Sequence, residues 1–397
     1  MKKILLVSPS TSNSGHGVVY LTKLYENISK EQNVKVFVPC DTKLDPLNFK
    51  PTDLIKSKVG FSSISREKYA KYGKLGQFKR GFNRLKAGVS FFKTLLEYLR
   101  KEKFDVIHIL DAEYVSYIYL SKKLSKVQET KLVYTIHASD FNFQSISIST
   151  LYKSIIAGYL RKALSNTSYI VCHGEWIKDR LTKSFPNIER KITGYNYPSD
   201  EYKNFDKIAI RKELGISENI KIISFLGMIR RDKRIEFAFE VLKLLPKDYK
   251  MLVAGSLSDY KKEQIESLIR EMQIQEKIIS DFRYLTLEEF DHYFKAGDIF
   301  LSTHSDKFPS ASGPVSDSRT YGLPVVVTPG GQLEQYVNRE KVGITPKGSK
   351  PEDFAEAITN LFDNIDLYKR NVRHASKKFS WESFSRKHME IYARISN

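Results

Sequence analysis

The residues with the clearest chemical potential lie in two short clusters of the second half of the chain. The first is Leu226-Gly227-Met228-Ile229-Arg230-Arg231-Asp232-Lys233-Arg234, where three arginines and a lysine gather just after an apolar run. The second lies within residues 296–337, where Ser310, Ser312 and Gly313 precede Asp317, and Gly330 and Gly331 precede Glu334. Lysine offers an anion a point charge and arginine a planar fork of donors. Serine and glycine at a helix start leave backbone N–H groups free, on the positive end of the helix dipole. Together these types suit a pyrophosphate. Ser310, Ser312 and Gly313 would form one half of a cradle, and Gly330 and Gly331 the other. The same letters also serve as ordinary loop chemistry in any α/β protein, and the cationic cluster as an exposed basic turn.

What must position them is a run of alternating strands and helices. Ile299 to Leu301 reads as a strand, Val315 to Tyr321 as a helix stopped by Gly322 and Pro324, and Val325 to Val327 as a second buried strand before a glycine turn and another helix. Lys221 to Phe225, Lys250 to Ala254 and Ile278 to Tyr284 read as strands, with helices over 235–245 and 288–294. The first half has the same rhythm. Strands are expected at Lys3 to Val7, Val34 to Val38, Val106 to Leu110, Lys131 to Ile136 and Ser168 to Cys172, with residues 41–103 as loop and then helix. Strand and helix in alternation is the mark of parallel, doubly wound sheets, which bind ligands at the carboxyl ends of their strands. His137 follows such a strand, so it is either a ligand contact or a satisfied structural histidine. Ser8 to Gly17 is a Ser/Gly loop after the first strand. It holds neither a Gly-x-Gly-x-x-Gly fingerprint nor a Gly-Lys-Ser/Thr P-loop.

The order Asp317, Gly322-Leu323-Pro324-Val325-Val326, Gly330-Gly331, Glu334 resembles the donor-sugar signature of family 4 retaining glycosyltransferases of the GT-B fold. In that family a Glu, seven residues and a second Glu precede the Gly-x-Pro-Val-Val run. Asp317 matches the second Glu, and Pro309 stands where the first would be. Ser312-Gly313 resembles the branch with a Ser-Gly pair in this loop. Lys233 matches the Lys of the family's Gly-Arg, gap, Lys-Gly pattern. Met228 stands at the Arg position and Arg234 at the second Gly, with Arg230 or Arg231 as a substitute for the missing arginine. The resemblance implies α/β architecture with two Rossmann-like domains facing each other across a cleft. Residues 1–197 would bind the acceptor, residues 198–378 the nucleotide-sugar, and a terminal helix in 379–397 would pack back on the first domain. It implies transfer of a sugar with retention from a UDP- or GDP-linked donor to a hydroxyl of a glycan or lipid-linked acceptor, with no resident cofactor and no metal. Lys233, Arg230 or Arg231, the Ser312 and Gly313 amides and those of Gly15 and Gly17 would neutralise the diphosphate. Asp317 would hold the ribose, Glu334 the ribose or the Gly331 turn, and His137 the sugar or acceptor. A sugar-nucleotide epimerase and a non-catalytic partner subunit are the competing activities.

Composition sets the outer bounds. The chain of 397 residues is 41% hydrophobic, long enough for two α/β domains with full cores. No apolar run approaches the roughly 20 residues of a membrane-spanning helix, and the apolar start Ile4 to Val7 is short for a signal peptide, so a cytosolic protein is expected. Cys40 and Cys172 have neither metal-ligand spacing nor a disulfide framework. The net charge of +19 fits an anionic partner. Residues 64–103 hold twelve Lys or Arg against three Glu, with Tyr69, Phe78, Phe82, Phe91 and Phe92 interleaved. This stretch suits the surface of an anionic membrane, or a solvated helix with its aromatics in the core. No nucleic-acid-binding motif accompanies the charge, so nucleic acid is not expected.

Overall fold

The apolar runs that read as strands are strands in the computed structural model, which describes residues 1–9, 16–64, 69, 73–124, 126–137, 150–304 and 312–396. The chain divides into two compact units, Met1–Tyr195 with Trp381–Asn397, and Asn196–Ser380. The junctions thus fall two residues from those read in the sequence.

Among the described residues the first unit is built on seven parallel strands: Lys3–Val7 (β1), Asn33–Val38 (β2), Leu54–Lys56 (β3), Val106–Leu110 (β4), Lys131–Ile136 (β5), Tyr169–Cys172 (β6) and Ile192–Gly194 (β7), in the order β3-β2-β1-β4-β5-β6-β7. Their residues are apolar without alternation because helices cover both faces; β4 is buried along its whole length. β3 lies inside the stretch read as loop, since three half-exposed residues give no periodic signal. The helix Gly73–Leu99 changes character along its length. Phe91, Phe92, Leu95 and Leu99 are in the core, whereas Leu75, Phe78 and Phe82 are exposed. The terminal helix Trp381–Ser396 belongs to this unit, where Trp381 and Phe384 meet Tyr20 of the helix His16–Ile28 edge-on, at 5.4 and 5.6 Å between ring centroids.

Among the described residues the second unit is built on six parallel strands: Lys221–Leu226 (β8), Tyr249–Ala254 (β9), Ile278–Asp281 (β10), Ile299–Ser302 (β11), Val325–Val327 (β12) and Gly343–Ile344 (β13), in the order β10-β9-β8-β11-β12-β13. Winding starts at β8, runs outward to β10, and resumes on the other side of β8 with β11. The gap between the carboxyl ends of β8 and β11 is therefore the switch point of the sheet. β10 ends three residues before the expected Tyr284. The helix read over 315–321 runs instead from Gly313 to Asp317. Pro314 suits a first turn, and beyond Asp317 the backbone tightens into three-residue turns, Thr320 N–H to Asp317 C=O at 2.9 Å and Gly322 N–H to Arg319 C=O at 3.1 Å.

Candidate functional site at the switch point of the second sheet

β8 ends at Leu226, and the next residue, Gly227, has φ 94°. β9 ends at Ala254 followed by Gly255, with φ 137°; a Cβ there would fall 2.5 Å from the Gly227 carbonyl oxygen. Only glycine lets these two strand ends turn so close together. The chain then forms a single turn over Arg231–Lys233 and passes Arg234 at φ 53° into the helix Ile235–Leu244. The left-handed conformation of Arg234 explains why glycine would suit this position, and the guanidinium lies over the Phe237 ring at 4.2 Å.

That turn delivers Lys233 inward. Its residue is only 8% exposed, and Nζ donates to the Leu226 carbonyl at 3.0 Å. Among the described residues no ion pair reaches it. Burial lowers its pKa to about 8, and the Arg230 charge adds to the shift. The amine is thus still cationic at neutral pH. A Cβ on Gly227 would meet Lys233 Nζ at 3.2 Å and Pro314 Cγ at 3.3 Å, so the missing side chain leaves space between the two clusters singled out in the sequence.

β11 supplies the opposite wall. Ser302, Thr303 and His304 continue its carboxyl end, and Lys233, His304 and Ser312 line one cavity of about 10 Å³, the space of a single water centre. The Thr303 hydroxyl donates to the Lys233 carbonyl and fixes the turn. His304 Nδ1 and the Ser302 hydroxyl are 2.7 Å apart. Burial, then the Lys233 charge, lowers the His304 pKa to about 3, so the ring is neutral beside the ammonium. His304 escaped the sequence reading. Its signal was available: like His137, it is a polar residue just past a buried parallel strand.

The other expected site residues divide. Ser312 shares the cavity with Lys233, and Gly313 opens the short helix beside it. Arg230 forms a two-pronged pair with Asp232, at 3.0 and 2.9 Å, and acts on Lys233 through space. Arg231 is turned elsewhere: it lines a separate groove of about 450 Å³ with Glu236, Tyr260 and Gln264. Of the two candidates for the missing arginine, only Arg230 is electrostatically coupled to Lys233. Met228, at the family's Arg position, is 53% exposed. Asp317 is outside the cavity lining; it lies near Tyr197 and Tyr321, whose phenols burial and then its own and neighbouring carboxylates push up. Gly330 (φ 98°) and Gly331 (φ 77°) make the turn into the helix Gly331–Glu340, where Glu334 accepts from the Gly330 N–H at 2.8 Å. That bond holds the turn and leaves the expected contact with the ribose open.

In the first unit, His137 sits at the carboxyl end of β5, half-buried, 4.5 Å from the His173 ring and 4.8 Å from that of Tyr20. Gly17 is exposed in the first turn of the helix His16–Ile28. Gly15, Ser310 and Pro309 lie outside the described residues.

Residues 206–378 match the family model described as Glycosyl transferases group 1, and residues 59–193 match the one described as Glycosyltransferase Family 4. The chain is a glycosyltransferase. A glycosyltransferase of Methanocaldococcus jannaschii, described as uncharacterized, is 23% identical over 311 residues, 73% of this chain and 75% of that protein. Among solved structures, sucrose-phosphate synthase from Thermosynechococcus elongatus has a TM-score of 0.75 at 16% identity, covering 100% of this enzyme and 99% of that chain. The Anabaena protein HepE in complex with UDP has a TM-score of 0.72 at 11% identity, covering 99% of this enzyme and 100% of that chain. These likenesses establish the GT-B architecture of two Rossmann-like domains for the glycosyltransferase.

Proposed function

We propose that this glycosyltransferase moves a hexosyl group from a UDP- or GDP-linked donor to a hydroxyl of a glycan or lipid-linked acceptor, with retention at the anomeric carbon. The setting is assembly of a bacterial surface polysaccharide or glycoconjugate at the inner face of the membrane. The observation that carries the donor assignment is Lys233: a buried ammonium at the switch point, bonded to a carbonyl and, among the described residues, to no carboxylate. Burying a charge is costly, and a diphosphate arriving there would supply an anionic partner. HepE, of the same fold, is a complex with UDP, which supports a uridine nucleotide.

On this reading the bond from the anomeric carbon to the diphosphate oxygen breaks and its electron pair stays on the diphosphate. The acceptor oxygen forms the new bond on the same face and gives up its proton to the departing diphosphate or to water. Lys233 and the amides at Ser312 and Gly313 stabilise the charge that develops, so the assignment calls for no metal ion. Arg230 adds positive potential at Lys233 that its pair with Asp232 partly cancels. Asp317 binds the ribose hydroxyls, and His137 faces the sugar or acceptor. Ser312-Gly313 stands in for the first Glu of the family pattern, as in the branch that has a Ser-Gly pair there.

The departures at Met228 and at Pro309 favour a second reading, a partner subunit that has kept the fold and lost turnover. One experiment separates the two. Melting temperature is measured across UDP-, GDP- and ADP-sugars, and nucleoside diphosphate release is followed for each sugar that stabilises the protein. Stabilisation by one base with slow release supports the transferase. Stabilisation without release, even with acceptor, points to the partner subunit. No stabilisation by any nucleotide-sugar would overturn the transferase and favour the partner subunit.

A further inference from the structure

We infer that the N-terminal half of the Gly73–Leu99 helix is a docking face for an anionic lipid surface, with Leu75, Phe78 and Phe82 entering the interface. This deepens the membrane placement proposed above by assigning it to one helix face.

The two halves of this helix are put to different uses. From Gly88 onward it is held in the protein. A Cβ on Gly88 would lie 3.1 Å from the Ser116 side chain, so the helix passes close to Tyr114–Leu124, and Phe91, Phe92 and Leu95 are fully buried. Before Gly88, three apolar side chains are without such cover among the described residues. Leu75, Phe78 and Phe82 are 61%, 69% and 61% exposed. Their spacing of three and four residues puts them on one helical face. Isolated exposed apolar residues are ordinary, but three on one stripe, two of them phenylalanine, call for a partner.

The charges beside the stripe say which partner. Lys79, Lys86 and Lys93 are exposed and recur every seven residues, about two helical turns, so they form a single row next to the apolar stripe. The helix has no acidic residue before Glu97. A second copy of the chain would bring one lysine row against another. A nucleic acid would satisfy the lysines and leave both phenylalanines in water. An anionic bilayer satisfies both faces: headgroups take the ammonium groups while the rings and Leu75 pass below them. Among the described residues no helix is long and apolar enough to cross a membrane, so contact through this face would be peripheral.

The full-length protein is sedimented with vesicles of phosphatidylcholine alone and of phosphatidylcholine with about a third phosphatidylglycerol. Binding is expected only to the anionic vesicles, weaker at high salt. F78S/F82S is expected to lower the partition coefficient about 10-fold or more, and K79E/K86E to abolish binding. Donor-induced thermal stabilisation serves as the control. These substitutions leave Lys233 and its cavity untouched, so a lost donor response would count against the donor site and not against this face. Equal binding of wild type and both variants overturns the proposal. So does no binding to either vesicle, binding to duplex DNA in place of vesicles, or a dimer in light scattering that F78S/F82S dissociates.

Discussion

In the second unit, burial acts on a lysine at the carboxyl end of the sheet; in the first unit, it acts on histidines. His108 is fully buried within β4, with Nδ1 2.6 Å from the Tyr392 hydroxyl and Nε2 2.7 Å from that of Thr135, and it stacks on His388 at 5.1 Å. His173 is fully buried as well. Desolvation lowers the pKa of every one of these bases, as it lowers that of Lys233. The outcomes differ because the starting points differ. Lysine lowered to about 8 keeps its proton at neutral pH, whereas the histidines fall further below neutrality and stay uncharged. One physical effect thus leaves a poised cation in one unit and a neutral aromatic cluster in the other. The first is suited to an anion, the second to holding the terminal helix through Tyr392, His388 and Phe384.

The comparison breaks most readily at Lys233. Lys233→Met keeps much of the side-chain volume and removes the charge. A hydrogen bond to a charged group contributes roughly 1.5–3 kcal/mol, so affinity for the donor nucleotide is expected to fall about 10- to 100-fold. The ligand-free variant should melt no lower than the wild type, since the desolvation cost of a buried charge has been removed. Titration calorimetry and differential scanning calorimetry test the two halves of this statement. Unchanged affinity would show that Lys233 is only a structural cation. Wild-type affinity should also weaken as pH rises past about 8, where the free amine loses its proton.

The histidine cluster yields a smaller effect with a defined pH window. The folded-state pKa values lie below the unfolded value of about 6.5. Between these limits the unfolded chain binds protons that the folded unit does not, so stability falls as pH drops below 6.5. The His388 share is spent near pH about 4. Each histidine adds up to roughly 1.4 kcal/mol per pH unit within its window. Lys233 behaves in the opposite range: the second unit gains stability as pH rises from about 8 towards the unfolded lysine value. Hydrogen exchange read by peptide mass across pH 4–10 should show acid sensitivity in β4 and in Trp381–Ser396, and none at Lys233. His388→Gln should flatten the acid limb. An unaltered limb would mean that the cluster does not set acid stability.

Much of this was legible in the sequence, and for identifiable reasons. Fully buried parallel strands are nearly pure apolar runs, so β1, β4, β5, β8 and β12 announce themselves. Gly330-Gly331 and Gly322-Leu323-Pro324 punctuate the second half because glycine and proline carry fixed backbone preferences. Residues whose role depends on where a side chain points were not legible. Arg230 and Arg231 are neighbours in the sequence, yet one is coupled to Lys233 and the other lines a different groove. Phe78 and Phe91 read alike as aromatics of one basic helix, and only the path of Tyr114–Leu124 past Gly88 separates the exposed from the buried. β3 and β13 are as short as β12 or shorter but are only half-buried, so neither an apolar run nor a period registers.

The smallest expected effect sharpens the same comparison at the edge of the proposed donor site. Glu334 reaches back to the Gly330 N–H as the acidic residue of a capping box does, on a turn that needs two successive positive φ angles. Its carboxylate also complements the dipole at the start of Gly331–Glu340. Glu334→Ala removes cap and charge and should lower stability by about 1 kcal/mol. Glu334→Gln keeps an acceptor oxygen and should cost about half of that or less. If Glu334 only shapes the turn, donor affinity should follow the same order, with the glutamine variant close to wild type. If it also binds the ribose as an anionic acceptor, affinity should fall alike in both variants while stability does not. Measuring affinity and unfolding free energy on the same two proteins decides between shaping the turn and touching the ligand, the one distinction among the expected site residues that position alone leaves to energetics.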